Sequence, residues 1–287
     1  MFAVATAAAA LALPAVPQGN LIRNPGAEGG EASPNGDTAV AIPGWTTTSA
    51  FTAVPYGGGD GLFTFPPGSE GQRIGGGKNF FAGGFRAGTS TATQTVEVSA
   101  AAPFVDQHLV ASSLSGWLGG FLSEPDPGTV EADFLSATGA VLSNLKIGPV
   151  TPEERNRDLK FVQKTASDDV PTGTRTVRIT MIAVQAEGSY DDAYFDNLLF
   201  ALQGPALALR GRCLGHKHVT VTAAVPTGLK GRSVTFHVPG RTTVDRKAPF
   251  TTTFVRRTKS PVVTATGVVL VGVQPGSISG RLALHCP

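Results

Sequence analysis

Thr176-Val177-Arg178-Ile179-Thr180-Met181 decides the fold class. Its apolar residues recur at every second position, so they fall on one face of an extended strand. Thr93-Gln94-Thr95-Val96-Glu97-Val98 repeats the pattern. His108 to Leu118 and Thr129 to Leu135 read as further strands. Downstream, Val219 and Val221 share a face, as do Val234, Phe236 and Val238. Pro226-Thr227-Gly228, Pro239-Gly240 and Pro275-Gly276 read as the turns between such strands. Thr151-Pro152-Glu153-Glu154-Arg155 has the cap, Pro and Glu of a helix start, and predicts about one turn. The expected class is all-β: one β-sandwich followed by a smaller one.

The 287 residues suit two domains. With 36 Gly, 21 Pro and only 15% charged residues, the composition fits short strands and tight turns. Net charge is +2, but it is unevenly spread. Asn20 to Gln203 carries 11 Lys/Arg against 20 Asp/Glu, and Gly204 to Pro287 carries 12 against the single Asp245. This switch from −9 to +11 places the domain join near Gln203-Gly204-Pro205. Residues 1–19 read as a signal peptide or a disordered tail, 20–203 as the first domain and 204–287 as the second. The apolar run Phe2 to Val16 is too short to span a bilayer, so no membrane span is expected. Its small, apolar residues predict secretion, although a basic start is missing.

Both cysteines, Cys213 and Cys286, lie in the second domain, on the leucine-bearing faces of its first and last strands. An oxidising compartment would join them as a disulfide. The alternative is two buried thiols.

Asn20-Leu21-Ile22-Arg23-Asn24-Pro25-Gly26-Ala27-Glu28, Ile42-Pro43-Gly44-Trp45, Gln94-Thr95-Val96-Glu97-Val98 and Tyr194-Phe195-Asp196-Asn197-Leu198 stand in an order that resembles the galactose-binding-like jelly-roll superfamily. That superfamily includes many carbohydrate-binding modules. The opening stretch and Trp117 also resemble the F-box-associated, glycoprotein-binding domains. The resemblance implies a non-catalytic jelly roll whose terminal strands lie together. It also implies a structural Ca2+ held by Glu28 and Asp196. Calcium needs six to eight oxygens, which Gly75-Gly76-Gly77-Lys78-Asn79 would supplement with carbonyls. Read from the residues alone, Asp196 shares a strand face with Leu198, Phe200 and Leu202, where a carboxylate is costly unless paired or metal-bound. In the second domain, Val234-Thr235-Phe236-His237-Val238-Pro239-Gly240-Arg241, Asp245 and Ala248-Pro249-Phe250 resemble bacterial immunoglobulin-like modules, with Pro239 in place of their usual Asp. Such modules serve as spacers or adhesive units.

Sugar rings stack on aromatic faces, and every Trp and Tyr lies in the first domain. Tyr56, before Gly57-Gly58-Gly59-Asp60, and Tyr190, before Asp191-Asp192, are the expected contacts at exposed loops. Trp45 and Trp117 are further candidates, with core packing the stronger reading for Trp117. Asp126, in a Pro-rich turn, and Arg155 are the expected polar partners.

No catalytic signature emerges. The acid pairs Glu153-Glu154, Asp168-Asp169 and Asp191-Asp192 are adjacent, and neighbours on a strand point to opposite faces. There is no G-x-S-x-G elbow, P-loop or HExxH motif. His216-Lys217-His218 would put two imidazoles on one strand face, though a solvated basic strand is the simpler reading. The basic second domain predicts contact with an anionic cell-wall polymer, or with the acidic first domain. Arg256-Arg257-Thr258-Lys259 lacks the aromatics that stack bases, so no nucleic acid is expected. The expectation is a secreted carbohydrate- or glycoconjugate-binding protein; the alternative is a structural or adhesive cell-surface protein that binds a protein or anionic polymer, and a lesser one is a hydrolase accessory domain.

Overall fold

The computed structural model describes residues 12–61 and 63–286. Residues 1–11, which hold most of the expected signal peptide, lie outside the described residues. The chain divides into two compact units. One runs from Pro17 to Gln203. The other comprises Gly204 onward together with the described residues up to Val16.

The first unit contains strands β1 (Thr46–Thr48), β2 (Thr52–Pro55), β3 (Asn79–Phe85), β4 (Thr89–Glu97) and β5 (Ala111–Gly119). β6 (Gly128–Ser136), β7 (Val141–Ile147), β8 (Phe161–Asp169), β9 (Thr174–Val184) and β10 (Tyr190–Gln203) complete it. Two short helices, α1 (Gly68–Ile74) and α2 (Ala102–Val105), lie in connections. The strands form two antiparallel sheets, ordered β1-β4-β9-β6-β7 and β2-β3-β10-β5-β8. The alternating residues quoted above fill the space between them. Val177, Ile179 and Met181 of β9 are fully buried, and Phe134 of β6 meets Phe200 of β10 across the interior at 6.1 Å. Each such side chain contributes about 1.5–3 kcal/mol by leaving water.

The opening segment lies along β10. Leu21 N–H donates to the Phe200 carbonyl at 2.8 Å, and Leu198 N–H donates to the Pro25 carbonyl at 2.9 Å. Asn20 spans two backbone groups, donating to Leu198 O and accepting from Phe200 N–H.

A second apolar cluster covers the outer face of the β2-β3-β10-β5-β8 sheet. Residues 56–61 and 63–78, including α1, fold over it and bury Phe65, Phe80, Phe161, Tyr190 and Tyr194. α1 ends at Gly75 in the left-handed conformation that glycine adopts without strain. The expected helix at Thr151 is a set of turns instead. Its cap is nonetheless present: Glu154 N–H donates to Thr151 Oγ1, and Thr151 N–H donates to Glu154. With only Pro152 to Lys160 before β8, no longer helix propagates.

The second unit has β11 (Ala208–Leu214), β12 (His218–Ala224), β13 (Lys230–Val238), β14 (Arg241–Asp245), β15 (Phe250–Val255), β16 (Val262–Val271) and β17 (Gln274–Ala283). They form sheets ordered β11-β12-β15 and β14-β13-β16-β17 around Val219, Val221, Phe236, Phe254 and Val263. Cys213 and Cys286 are joined in a disulfide, with Cα atoms 5.8 Å apart. Pro275-Gly276 is not a turn. It lies inside β17, and the chain reverses at Gly272-Val273. β17 is an edge strand, where proline's missing N–H leaves no ladder bond unmade. His216 sits in the β11–β12 turn while His218 begins β12, so the two imidazoles do not share a strand face. In the N-terminal segment, the Pro14 carbonyl accepts from Ser277 N–H of β17 at 2.7 Å, and Val16 is buried.

Candidate functional site

β10 carries three buried aspartates, Asp191, Asp192 and Asp196. A register slip between Asp196 and Leu199, with Asn197 at φ 45°, sets their orientation. Asp196 is registered with Trp117, whereas Phe200 is registered with Leu114 on the opposite face of β5. Asp196 therefore does not share a face with Leu198, Phe200 and Leu202. A bulge reverses the alternation that a sequence reading assumes to be continuous.

Asp196 points beneath the glycine loop. The Tyr56 hydroxyl donates to its Oδ2 at 2.5 Å, and Asn197 N–H donates to its Oδ1 at 2.6 Å. Glu28 Oε1 accepts from Lys78 N–H and Asn79 N–H, both at 2.8 Å. A Cβ on Gly76 would overlap the Asp196 carboxylate, and one on Gly77 would lie 2.5 Å from the Glu28 carboxyl carbon. Gly26 is similarly close to Asp196, at 2.9 Å. The two acids thus converge on one loop that only glycine can form. Burial pushes Asp196 up to about 8, and the negative charge of Glu28 adds to this against the two hydrogen bonds. A buried carboxylate beside a second acid, facing backbone that carries no side chain, has the donor chemistry a hard cation requires.

Tyr56 is consequently not an exposed loop residue. Its ring lies 4.8 Å from that of Phe80, and its hydroxyl is committed to Asp196. Tyr190 is also buried, with its hydroxyl against Gly36. Asp126 is buried in place of lying on a surface turn: it accepts from the N–H groups of Ala186, Glu187 and Asp192 at 2.7–3.1 Å. Arg155 is only 2% exposed. Its guanidinium donates to the carbonyls of Leu122, Glu124 and Asp158, so it ties loops together. The two tyrosine rings fill space beneath loops, while the Asp126 carboxylate and the Arg155 guanidinium pair backbone groups of loops that need partners.

Asp192 accepts from the Tyr194 hydroxyl and faces Glu124 and Asp126. Burial and the Glu124 charge raise its pKa strongly. Asp191 is pushed up to about 7, chiefly by burial. Gly83 leaves room for its carboxylate, since a Cβ there would overlap it. Asp126, Asp191 and Asp192 are enclosed, whereas Glu124 is part-exposed.

Trp45 and Trp117 reach the surface. Trp45 is largely buried: its ring meets Phe81 edge-on at 5.6 Å, and its Nε1 donates to Asn24 O. Its rim borders an open depression of about 620 Å³ lined by Arg23, Thr46, Thr93, Gln94 and Thr95. The Gln94 amide bridges Arg23 N–H at 2.9 Å and Arg23 O at 3.1 Å, which fixes the base of the arginine. Trp117 is half-buried and carries the Arg73 guanidinium 5.0 Å from its ring centre. Sequence reading missed the Arg23–Gln94 clamp. Its signal was available: Gln94 falls in the apolar phase of β4, between Ala92 and Val96.

No family model matches the chain, and no curated protein matches it. Among solved structures it is similar to the enzymatically active domain of tailspike protein 4 from bacteriophage CBA120. Identity is 14% and the TM-score 0.37, over 64% of this chain and 21% of that one. It is also similar to the CBM22-1 xylan-binding domain of Paenibacillus barcinonensis Xyn10C. There, identity is 12% and the TM-score 0.33, over 60% of this chain and 97% of that one. For the CBM22-1-CBM22-2 tandem of the same protein the values are 10% and 0.33, over 90% and 92%.

Proposed function

We propose that the first domain is a non-catalytic, jelly-roll carbohydrate-binding module and that the chain is a secreted glycan- or glycoconjugate-binding protein. The depression at Arg23 and Trp45 carries this reading. It combines an aromatic rim, an exposed arginine whose backbone is clamped by Gln94, and threonine hydroxyls, which is the donor set that a sugar's apolar face and hydroxyls call for. Its size falls within the range of small-ligand pockets. The disulfide supports an oxidising compartment. The second domain acts as an immunoglobulin-like spacer; its three-plus-four antiparallel strands support that assignment. A glycan array probed with the full chain tests the function. Arg23→Ala combined with Thr95→Ala should lower affinity for the best glycan at least tenfold, while Trp117→Ala should change it less than twofold. Absence of binding above background overturns the proposal, and the reverse ranking moves the site to Trp117 and Arg73.

A structural Ca2+ at Glu28 and Asp196 belongs to the same reading. When bound, it would supply the positive charge that the two carboxylates lack, and it would hold the opening segment against β10. A ligand that binds only the native state raises its stability. Saturating Ca2+ should therefore raise the melting temperature, as read by tryptophan fluorescence, by several degrees over chelator-treated protein. An Asp196→Asn variant should show no such rise. Identical melting with Ca2+ and with chelator eliminates the metal.

A further inference from the structure

We propose that one end of the second domain is a binding site for a polyanionic glycan bearing phosphate or sulfate groups. His216, Arg256, Arg257, Thr258 and Lys259 line a shallow pocket of about 230 Å³ there. Three connections build it. His216 comes from the β11–β12 turn, and residues 256–259 come from the β15–β16 loop. Arg257 reaches the β13–β14 turn, its guanidinium carbon 3.6 Å from the Cβ position of Gly240.

The pocket is held by backbone contacts. Arg256 Nε donates to the His216 carbonyl at 2.9 Å, and its Nη1 donates to the Cys286 carbonyl at 3.3 Å. Arg256 N–H donates to Lys217 O at 2.8 Å, and Cys286 N–H donates to Lys259 O at 2.8 Å. Cys286 is disulfide-bonded to Cys213 of β11, so this bridge ties the chain end to the strand that leads into the His216 turn. Arg256 thus serves as a strut, while Arg257 and Lys259 are exposed and project their charge into solvent beside the exposed His216 ring.

Asp245 is the domain's one acidic side chain, against its 12 Lys and Arg. It accepts from Lys247 N–H and Thr251 N–H at 3.0 and 2.9 Å, and so serves the β14–β15 turn. The field of the clustered cations therefore acts on whatever approaches from solvent. Forked guanidinium and point-charge ammonium groups on one pocket suit tetrahedral oxyanions.

Two observations favour a glycan over a nucleic acid. The phenylalanines of this domain, Phe236, Phe250 and Phe254, are all buried and it has no Tyr or Trp, which leaves the small His216 imidazole as the one ring lining the pocket. The pocket is also shallow and shaped by loops, with neither a helix nor a ribbon projecting for a groove.

Titration of the full chain with inorganic phosphate, heparin, a glycerol-phosphate polymer and mixed-sequence single- and double-stranded DNA tests this. Heparin or the glycerol-phosphate polymer should bind in the micromolar range at low salt and weaken steeply as salt rises. Which of the two binds better identifies sulfate or phosphate as the natural group; phosphate ion alone should bind far more weakly. Arg257→Glu combined with Lys259→Glu should reduce polymer binding at least tenfold. Arg232→Glu combined with Lys247→Glu makes the same charge change away from the pocket and should reduce it less than threefold. Equal losses in the two variants, no polymer binding, or DNA binding as tight as the best glycan polymer would each overturn the proposal. Circular dichroism and melting of both variants report whether they fold.

Discussion

Reduction of the Cys213–Cys286 bridge should lower the stability of the second domain by about 4 kcal/mol, the largest single loss expected in this chain. The bridge closes a loop with a sequence separation of 73. In the chain-entropy model a loop of that length contributes about 4 kcal/mol, by removing freedom from the unfolded chain. Few other devices are available to a domain of this size. Its core depends on small aliphatics such as Val219, Val221 and Val263 and on three phenylalanines, and a small core leaves little margin. Hydrogen exchange over residues 204–286, with and without reductant, measures the effect. Protection in β11 and β17 should fall most, because these strands lead to the two cysteines. A Cys213→Ala, Cys286→Ala variant should reproduce the loss. Unchanged protection after complete reduction would show that the sandwich holds without its staple.

The second large effect is a pH dependence of the first domain. Asp191 keeps its proton in the fold until about pH 7, while the unfolded chain releases it near 4. Between those values the folded state binds more protons, so stability falls as pH rises. The difference between those pH values corresponds to roughly 4 kcal/mol. Asp192, raised further by burial and by Glu124, extends the fall above pH 7. Both tryptophans belong to this domain. Melting followed by tryptophan fluorescence should therefore show greatest stability near pH 4–5 and a decline through pH 8. Asp192→Asn mimics the protonated acid: its carbonyl still accepts from Tyr194 and its amide can donate to Glu124. The variant should flatten the decline and be more stable than the parent at pH 8. A parent profile that rises from pH 5 to 8 would show that these carboxylates are charged in the fold.

Charge linkage of this kind was only half legible. The acid pair Asp191-Asp192 stands out in the sequence, and adjacency rules out its members facing one another from one strand face. Their burial does not show in that reading. It comes from residues 56–61 and 63–78 folding over the outer sheet face and from Gly83, which makes room for Asp191. Asp126 and Arg155 were misplaced for the same reason. A charged residue in a turn reads as solvated, unless the loops whose N–H and carbonyl groups need it are known.

Period-2 alternation and Gly/Pro punctuation specified an all-β chain of sandwich type. Burial on one strand face is a local pattern that does not depend on what lies opposite. The two cysteines of the second domain likewise anticipated the bridge, although Cys286 lies beyond the end of β17 and not on its face. What only the tertiary structure decided is where each polar side chain of the first domain goes. The bulge after Asp196 reverses strand phase, and loop coverage turns presumed surface aromatics into a second core. Both depend on contacts between residues far apart in the chain, such as Tyr56 with Asp196 and Arg23 with Gln94, and no local period encodes these.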